Sequence, residues 1–333
     1  MVVFPQPIIL SLLLFLHYSF WVGSAMDCGG NKIVHTMVVD QQGKGEFKTV
    51  QAAIDSIKEN NDRWVKIRIN AGTYIEKVQI SKYKPCIFLE GADKEVTTIT
   101  SSGYHPTSTI TSTGNNQNRN TGATFISFPP NVIVIGITFE NSFNLVGSQL
   151  ILPAPAAAVY GDKSVFFKCG FVSYQDTLFD AMGRHYFKDC YIQGEVDFIY
   201  GNGQSYYEDC TVNATQEKTS PGFVTAQSRD SKNDTSGFVF RAGCVIGNGR
   251  VNLGRAWGPY SRLYLMKAGM LGVSLAKSGS KFTYAEVNCT GQGANSTKRV
   301  QWKKNLTDEE LNEFSLSSFI NKDGWLSNLP IKF

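Results

Sequence analysis

Two aspartates carry the strongest chemical signal in the sequence. Asp176 and Asp197 are 21 residues apart, and each follows a cysteine, Cys169 or Cys190, by seven residues. If 21 residues form one turn of a repeating structure, the two carboxyl groups occupy equivalent positions on neighbouring turns. Carboxylates held that close cannot both ionise easily, so one keeps its proton while the other keeps its charge. The pair predicts an acid and a nucleophile or base, although turn capping and cation binding also use aspartates placed in this way.

The residues around the two aspartates indicate which chemistry they serve. Gln175 precedes Asp176 and offers a neutral amide donor to an oxyanion, while glycines on both sides of Asp197 leave room for a ligand. Farther along the chain, Arg255 and Trp257 share a face if their segment is a strand. The cation can orient a carboxylate, and the indole can stack against a sugar ring. Taken alone, such a run is more often structural, so it indicates a ligand site only together with the two aspartates.

A repeat in the centre of the chain predicts the elements that position these residues. Aromatic or apolar residues surround a cysteine in four segments: FFKCGF (166–171), YFKDCYI (186–192), YYEDCTV (206–212) and FRAGCVI (240–246). Alignment on Cys169, Cys190, Cys210 and Cys244 gives steps of 21, 20 and 34 residues, and Ile137 takes the same position 32 residues earlier. Steps near 21 fit one coil of a parallel β-helix, in which each coil stacks on the next. Longer steps fit coils with inserted loops.

The seven cysteines leave two interpretations of this ladder open. One is an interior row of small hydrophobic side chains. The other is a disulfide between neighbouring coils, Cys169–Cys190 or Cys190–Cys210, since coils about 4.8 Å apart allow one. Because the number of cysteines is odd, at least one is free or pairs outside the chain.

Two short helices flank the repeat. Residues 49–58 show helical spacing of apolar side chains, and residues 307–314 begin with a threonine followed by three acidic residues, which is typical of a helix start. Val65, Ile67 and Ile69 alternate with basic residues, which predicts a strand. The fold class is therefore all-β, with a short N-terminal helix and a C-terminal helical segment.

Composition and the first residues of the chain predict a secreted protein. Residues 1–25 contain a short apolar core and end on small residues, as a cleavable signal peptide does, and residues 26–333 then form a single domain. No membrane anchor is expected after cleavage, and the net charge of +4 is too weak to indicate nucleic acid. Five Asn-X-Thr sequons predict glycosylation at Asn213, Asn233, Asn288, Asn295 and Asn305. The four histidines lack metal-ligand spacing with the cysteines, so we expect no metal.

Six motifs follow one another along most of the chain: GTYIEKV (72–78), GDKSVFFKCGF (161–171), YQDTLF (174–179), VDFIYGN (196–202), LGRAW (253–257) and SFINKDGWL (318–326). In this order they resemble the plant pectinesterase (pectin methylesterase) family, in the form without an inhibitor-like pro-region. The resemblance implies a right-handed, single-stranded parallel β-helix that hydrolyses methyl esters on homogalacturonan, the backbone of pectin, in the cell wall. It also implies a monomer that needs no metal or organic cofactor, with a proteinaceous pectinesterase inhibitor as a further partner.

The resemblance assigns a role to each matching position. Asp197 resembles the nucleophile that forms an aspartyl acyl-enzyme, and Asp176 resembles the general acid that later acts as a base. Gln175 resembles an oxyanion-hole donor, and Arg255 resembles the residue that pairs with the nucleophile and helps to place substrate. Three aromatic positions resemble the sugar-binding wall: Phe179, Tyr200 and Trp257.

The chain departs from the family pattern in two places. Pro153 stands where the family commonly has a glutamine that serves as a second oxyanion donor. Proline has neither a side-chain amide nor a backbone N–H, so we expect a weaker oxyanion hole. Residues 263–287 contain no tryptophan, whereas family members usually carry a longer segment with one. We therefore expect part of the substrate wall, or a coil, to be shortened.

Three functions compete at this point. The first is a pectin methylesterase. The second is a lyase or glycosidase on a similar β-helix; a glycosidase needs two carboxylates around a glycosidic oxygen, whereas Gln175 beside Asp176 favours acyl chemistry. The third is a catalytically weakened or inactive wall protein that binds pectin or the inhibitor, an alternative that the two departures from the family pattern keep open.

Overall fold

Three parallel sheets form the described part of the chain. The structure, a computed structural model, describes residues 28–104, 122–145, 151–215, 222–247, 251–270, 273–274, 282–295, 297, 301 and 303–332. The first sheet has ten strands in the order β1 (Ile33–Val39), β2 (Trp64–Ile69), β5 (Ile87–Gly91), β8 (Val132–Ile135), β11 (Ser164–Phe167), β14 (Arg184–Lys188), β17 (Gln204–Glu208), β20 (Gly237–Arg241), β23 (Arg262–Met266) and β26 (Thr283–Val287).

The other two sheets have eight strands each. The second sheet runs β3 (Gly72–Ile75), β6 (Thr97–Ser101), β9 (Thr138–Asn141), β12 (Gly170–Val172), β15 (Tyr191–Gly194), β18 (Thr211–Ala214), β21 (Cys244–Gly247) and β24 (Gly269–Met270). The third sheet runs β4 (Val78–Ile80), β7 (Phe125–Ser127), β10 (Ala157–Val159), β13 (Leu178–Asp180), β16 (Val196–Gly201), β19 (Gly222–Gln227), β22 (Val251–Gly254) and β25 (Val273–Ser274).

The strand order describes a solenoid. From β2 to β25 the chain visits the first, second and third sheets in turn, eight times, and strands from successive coils pair in parallel. Connections between parallel strands wind right-handed in nearly all proteins. The predicted single-stranded parallel β-helix is confirmed. Strands β23, β24 and β25 show that residues 263–287 contribute a coil, in which β24 and β25 have two residues each.

Aromatic rings stack through the interior of the β-helix. Phe166, Phe187, Tyr207 and Phe240 follow one another in register on the first sheet, with successive ring centroids 5.1, 4.6 and 4.4 Å apart. Each of these side chains is at most 5% exposed. Since a coil cannot bury its inner face alone, the stack of equivalent side chains supplies the core.

The cysteine ladder is an interior row, as the first of the two interpretations had it. Cys169, Cys190 and Cys210 are buried and free, and the Sγ of Cys190 donates to the carbonyl oxygen of Phe166 at 3.3 Å. Five cysteines are free in all, and the disulfide joins Cys28 to Cys86. Neither proposed bridge between neighbouring coils exists.

The predicted position of Cys244 in this ladder was wrong by one residue. Cys244 pairs with Thr211, so Gly243, 33 residues after Cys210, takes the place equivalent to Cys210. Gly243 has a φ of 67°, and a Cβ built there would lie 2.2 Å from the carbonyl oxygen of Cys210. A cysteine cannot occupy that site without displacing the backbone, and the thiol of Cys244 lies one position farther on.

The corner between the first and second sheets repeats one backbone conformation. A residue with φ between 51° and 55° occupies this corner in consecutive coils: Lys168, Asp189, Asp209, Ala242, Lys267 and Asn288. A left-handed residue turns the chain sharply enough to leave one sheet and enter the next. Except for the alanine, all these residues are polar and reach solvent at the corner.

Both predicted helices are present but shorter than expected. Helix α1 (Val50–Ser56) begins at Thr49, whose side chain accepts from the Ala52 amide, and ends because Ile57 is extended. Helix α2 (Asp308–Glu313) begins with a capping box between Thr307 and Glu310. After it, helix α3 (Leu316–Phe319) and Trp325 pack on the outer face of the first sheet.

No helix among the described residues is long and apolar enough to cross a membrane. The predicted signal peptide, residues 1–25, lies outside the part of the chain that the structure describes.

Candidate active site

Two neighbouring coils bring the aspartates together at the corner between the second and third sheets. Asp176 lies between β12 and β13, and Asp197 is the second residue of β16. Gln175 pairs with Val196, so the next residues along, Asp176 and Asp197, are neighbours across the ladder. The backbone amide of Asp176 donates to the carbonyl oxygen of Val196 at 3.1 Å. The pair is called the dyad below.

Both members of the dyad have an unusual backbone. The φ of Asp176 is 63° and that of Asp197 is 49°, values that L-residues other than glycine seldom adopt. Each aspartate therefore has a backbone conformation that costs free energy. Such local strain clusters at functional sites, and here it occurs in the same place on two successive coils.

A bidentate ion pair fixes the charge of Asp197. The Nε of Arg255 donates to Oδ1 of Asp197 at 2.7 Å, and its second terminal nitrogen donates to Oδ2. Asp197 is 1% exposed. Burial raises the pKa of the Asp197 carboxyl above its ordinary value, and the guanidinium offsets part of that rise by favouring the charged form.

Among the described residues, no cation contacts Asp176 directly. Its burial, at 9% exposure, and then the charge of Asp197 raise the pKa of the Asp176 carboxyl to about 8, while Arg255 lowers it only at longer range. Near neutral pH the dyad therefore holds one proton, on Asp176, and one negative charge, on Asp197. The different surroundings of two identical side chains place a protonated carboxyl group beside a charged one, an arrangement that can serve acid and nucleophilic chemistry.

Two aromatic rings hold the guanidinium of Arg255. Its central carbon lies 5.0 Å from the ring centroid of Phe223 and 5.5 Å from that of Trp257, within cation–π range. Trp257 is 54% exposed, so it can also meet a ligand. The expectation that Arg255 and Trp257 belong to a strand was wrong, because β22 ends at Gly254.

Phe223 was missed by the sequence reasoning. It lies in β19, and its partner in β16 is Val196, the residue before the nucleophile candidate. The segment between these strands is longer than one repeat step, so no fixed spacing connects Phe223 with Asp197. Knowledge of the strand register would have been needed to find it.

Gln175 and Pro153 lie on adjacent coils beside the dyad. Gln175 is half-buried, and among the described residues no partner takes a hydrogen bond from its carboxamide. The backbone oxygen of Gln175 accepts a hydrogen bond from the amide of Ala154 at 3.2 Å. Pro153 is the residue immediately before Ala154 and therefore lies beside Gln175. The described site therefore offers one side-chain amide for an oxyanion, and the position next to it is a proline.

The predicted aromatic wall lies on the outer face of the third sheet. Phe179 and Tyr200 pair in register and stack with ring centroids 4.6 Å apart and planes 4° apart. The row continues beyond the predicted residues: Tyr160 contacts Phe179 edge-on at 5.6 Å, and Phe128 stacks on Tyr160 at 4.9 Å. All four rings are half-buried and flank one side of the dyad.

Four sequon asparagines are exposed: Asn233, Asn288, Asn295 and Asn305. Asn213 differs, because it is half-buried in β18 and its Nδ2 donates to the hydroxyl of Tyr191 at 2.8 Å. Glycan attachment stays a prediction for all five, and Asn213 would have to give up a hydrogen bond to accept one.

Other parts of the described chain offer less chemistry than the dyad. The described residues contain no group of three or more histidine, cysteine, aspartate or glutamate side chains that could hold a metal ion. A cavity of about 540 Å³ lies at the N-terminal end between β1 and α1, lined by Met37, Phe47 and Ile57 among others. Its lining carries no pair of carboxylates on neighbouring coils, so the dyad is the better candidate site.

The fold and the dyad define a parallel β-helix protein with a paired-carboxylate site, and comparisons with known proteins agree. A family model named Pectinesterase matches residues 36–323. The Arabidopsis thaliana protein "Putative pectinesterase 10" is 40% identical over 331 residues, covering 95% of this chain and 94% of that protein. Pectinesterase QRT1 of the same plant is 35% identical over 319 residues, covering 92% and 83%. The chain belongs to the pectinesterase family.

Solved structures agree with this fold. A pectin methylesterase from carrot superposes with a TM-score of 0.77 at 30% identity, covering 89% of this chain and 96% of that chain. Pectin methylesterase PemA from Erwinia chrysanthemi superposes with a TM-score of 0.70 at 22% identity, covering 90% and 99%, which bears on the fold alone.

Proposed function

We propose that this protein is an extracellular esterase that removes methyl groups from methyl-esterified homogalacturonan, releasing methanol through an acyl-enzyme on Asp197. The observation that carries the proposal is the unequal dyad: Asp197 forms a bidentate ion pair with Arg255, whereas Asp176 is buried with a pKa of about 8. Family membership and the carrot pectin methylesterase support the substrate class.

In the first step Asp197 is the nucleophile. One of its carboxylate oxygens attacks the ester carbonyl carbon, and the carbonyl oxygen takes up negative charge that the Gln175 carboxamide stabilises. As the tetrahedral intermediate collapses, the bond to the methoxy oxygen breaks and Asp176 gives its proton to that oxygen. Methanol leaves, and an anhydride joins Asp197 to the galacturonate carboxyl carbon.

In the second step Asp176 acts as the base. It is now ionised, and it takes a proton from a water molecule whose oxygen adds to the same carbonyl carbon. The anhydride bond breaks, Asp197 returns to its charged form beside Arg255, and the galacturonate acid is released. Asp176 ends the cycle protonated, so no metal or organic cofactor is part of this scheme.

Arg255 has one nitrogen left for the substrate. Its Nε and one terminal nitrogen are committed to Asp197, so the remaining terminal nitrogen is available to a carboxylate or carbonyl oxygen of the polymer. Trp257 on one side of the guanidinium and the Phe179–Tyr200 pair on the third sheet would then contact sugar rings. An oxidising environment outside the cell fits the Cys28–Cys86 disulfide.

The activity is tested by following two products at once. Methylated homogalacturonan is incubated with the purified protein, and methanol and solution viscosity are measured together. We expect methanol to accumulate at constant viscosity, because ester hydrolysis leaves the polymer backbone intact. A falling viscosity without methanol would instead identify a glycosidase or lyase, and binding of the polymer without either change would identify a non-catalytic wall protein.

A further inference from the structure

Four aromatic side chains form a continuous row on the outer face of the third sheet, one from each of four successive coils. The aromatic row consists of Phe128, Tyr160, Phe179 and Tyr200, with successive ring centroids 4.9, 5.6 and 4.6 Å apart. All four are half-buried. Phe128, Tyr160 and Phe179 pack on a small apolar cluster that is separate from the interior core, so the row belongs to the surface and not to the inside of the β-helix.

The row leads directly to the dyad. Phe179 is three residues after Asp176, and Tyr200 is three residues after Asp197. Burial first, and then Asp176, Tyr160 and Asp197, raise the pKa of the Tyr200 phenol well above its ordinary value. The phenol of Tyr200 therefore interacts electrostatically with the phenol of Tyr160 on one side. It also interacts electrostatically with both carboxyl groups of the dyad.

The hydroxyl of Tyr200 is available to a ligand. Within the described part of the chain no residue accepts a hydrogen bond from it, and its raised pKa favours the protonated form that can donate one. Tyrosine combines an apolar ring with a polar tip. A pyranose ring offers the matching surfaces, since it has an apolar C–H face and a rim of hydroxyl groups.

The direction of the row matches a linear polymer. Coils of the β-helix stack about 4.8 Å apart. A chain of sugars that lies along the helix axis therefore meets one further coil, and one further ring of the aromatic row, with each advance of that length. Two coils on the N-terminal side of Phe179 contribute Tyr160 and Phe128. On the other side of the dyad lie Arg255, Phe223 and Trp257, so the dyad sits between two aromatic flanks.

We propose that Tyr160, backed by Phe128, contacts the polymer and extends the sugar groove toward the N-terminal end of the β-helix, beyond the sugars held next to the dyad. The inference rests on the proposed function, because it names residues that hold the same polymer. Its consequence is a preference for long chains: a substrate that reaches Tyr160 is bound more tightly than one that ends at Phe179.

The test compares a methylated octagalacturonide with a methylated trigalacturonide. For wild type, Tyr160→Ala and Tyr160→Phe, kcat and KM are measured by methanol release, and binding of the octamer is measured separately by calorimetry. We expect the octamer-to-trimer ratio of kcat/KM to fall about tenfold in Tyr160→Ala, the factor that about 1.4 kcal/mol of lost contact produces. The loss should lie in KM, and Tyr160→Phe should lose only the part carried by the hydroxyl.

Tyr191 provides the matched control. It is also a half-buried tyrosine with a hydrogen-bonded hydroxyl, but it lies in β15 on the second sheet, away from the row. Tyr191→Ala and Tyr191→Phe should leave the octamer-to-trimer ratio unchanged.

Two results would overturn the inference. One is an unaltered ratio and unaltered octamer affinity in Tyr160→Ala at an unchanged melting temperature, since Tyr160 would then merely cover the sheet. The other is an equal loss for octamer and trimer. If Tyr160→Ala does not fold, Tyr160→Leu, which keeps an apolar side chain but removes the ring, decides the question by the same ratio. Absence of methanol release by the wild type would contradict the proposed function, and the calorimetric comparison would still judge the role of Tyr160.

Discussion

At Asp176 and Asp197 identical side chains carry different charges because their surroundings differ. Arg255 contacts Asp197 directly and favours its charged form, whereas burial and the negative charge of Asp197 raise the pKa of Asp176. The 21-residue spacing was enough to predict that the two carboxyl groups are neighbours. Which of them keeps the proton could not be read from that spacing, because it depends on an arginine 58 residues farther along the chain.

The charge of Arg255 sets the acid limb of the pH profile. In wild type, kcat/KM should rise as Asp197 ionises and fall as Asp176 loses its proton near pH 8. In Arg255→Gln the pKa of Asp197 is no longer lowered by a cation, so the acid limb should move to higher pH while the rate falls by roughly 10²-fold or more. The profile is measured by methanol release from pH 4 to pH 10, with Arg255→Lys as the variant that keeps the charge. An acid limb that stays in place in Arg255→Gln would contradict this account.

We expect Pro153 to limit the oxyanion hole, because it stands where the family commonly has a glutamine. Pro153→Gln would add a second side-chain amide next to Gln175, and the loss of one such donor elsewhere costs roughly 10²–10³ in rate. We expect kcat for methanol release to rise by at least about tenfold. Pro153→Ala serves as the control, because it removes the proline ring without adding a donor. A rise in Pro153→Ala of the same size, or no rise in Pro153→Gln, would show that the amide is not what the site lacks.

At the scale of elements, the sequence was sufficient to predict the repeating coils and the helix starts. It was not sufficient to predict which side chains become neighbours through strand register. The β-helix followed from the spacing of Cys169, Cys190 and Cys210, and α2 followed from its capping threonine. The alignment failed at Cys244, because cysteines were matched by identity while the backbone places Gly243 at the equivalent position. Phe223 and Tyr160 were missed for a related reason: inserted loops and offset strands hide which side chains become neighbours.

Ala242 is the exception among the left-handed corner residues. Its φ is 55°. At this φ the Cβ of alanine causes a steric strain of about 1–2 kcal/mol that glycine avoids. Ala242→Gly should therefore stabilise the protein by about 1 kcal/mol after the entropic cost of glycine is counted. The melting temperature measures the effect. Asp209→Gly at the same corner one coil earlier should gain less, since aspartate tolerates this conformation better, and a lower melting temperature for Ala242→Gly would contradict the argument.

At the scale of the whole molecule, the disulfide ties the start of the described chain to the second coil. Cys28 and Cys86 are separated by 58 residues. The sequence required at least one free cysteine, and five are free. The Cys28–Cys86 disulfide could not be predicted from the sequence, because neither cysteine belongs to the repeat that contains Cys169, Cys190 and Cys210. The proximity of Cys28 and Cys86 depends on how the chain enters the β-helix.

The disulfide should stabilise the N-terminal end without touching the dyad. Cross-links that close long loops contribute about 2–4 kcal/mol, so the double variant Cys28→Ser with Cys86→Ser should melt at a lower temperature than wild type. Five thiols should react with a thiol reagent in denaturant without reductant, since seven cysteines minus the two in the disulfide leave five. Seven or three reactive thiols would show that the pairing is wrong.

The most direct test concerns Asp197 itself. Methanol release from methylated homogalacturonan is compared for wild type, Asp197→Asn and Asp62→Asn, an exposed aspartate at the N-terminal end that serves as the control. The account predicts that Asp197→Asn loses on the order of 10⁴-fold in kcat, as removal of a catalytic aspartate does elsewhere, while Asp62→Asn keeps the wild-type rate. An Asp197→Asn variant that still releases methanol within about tenfold of wild type would contradict the assignment of Asp197 as the nucleophile.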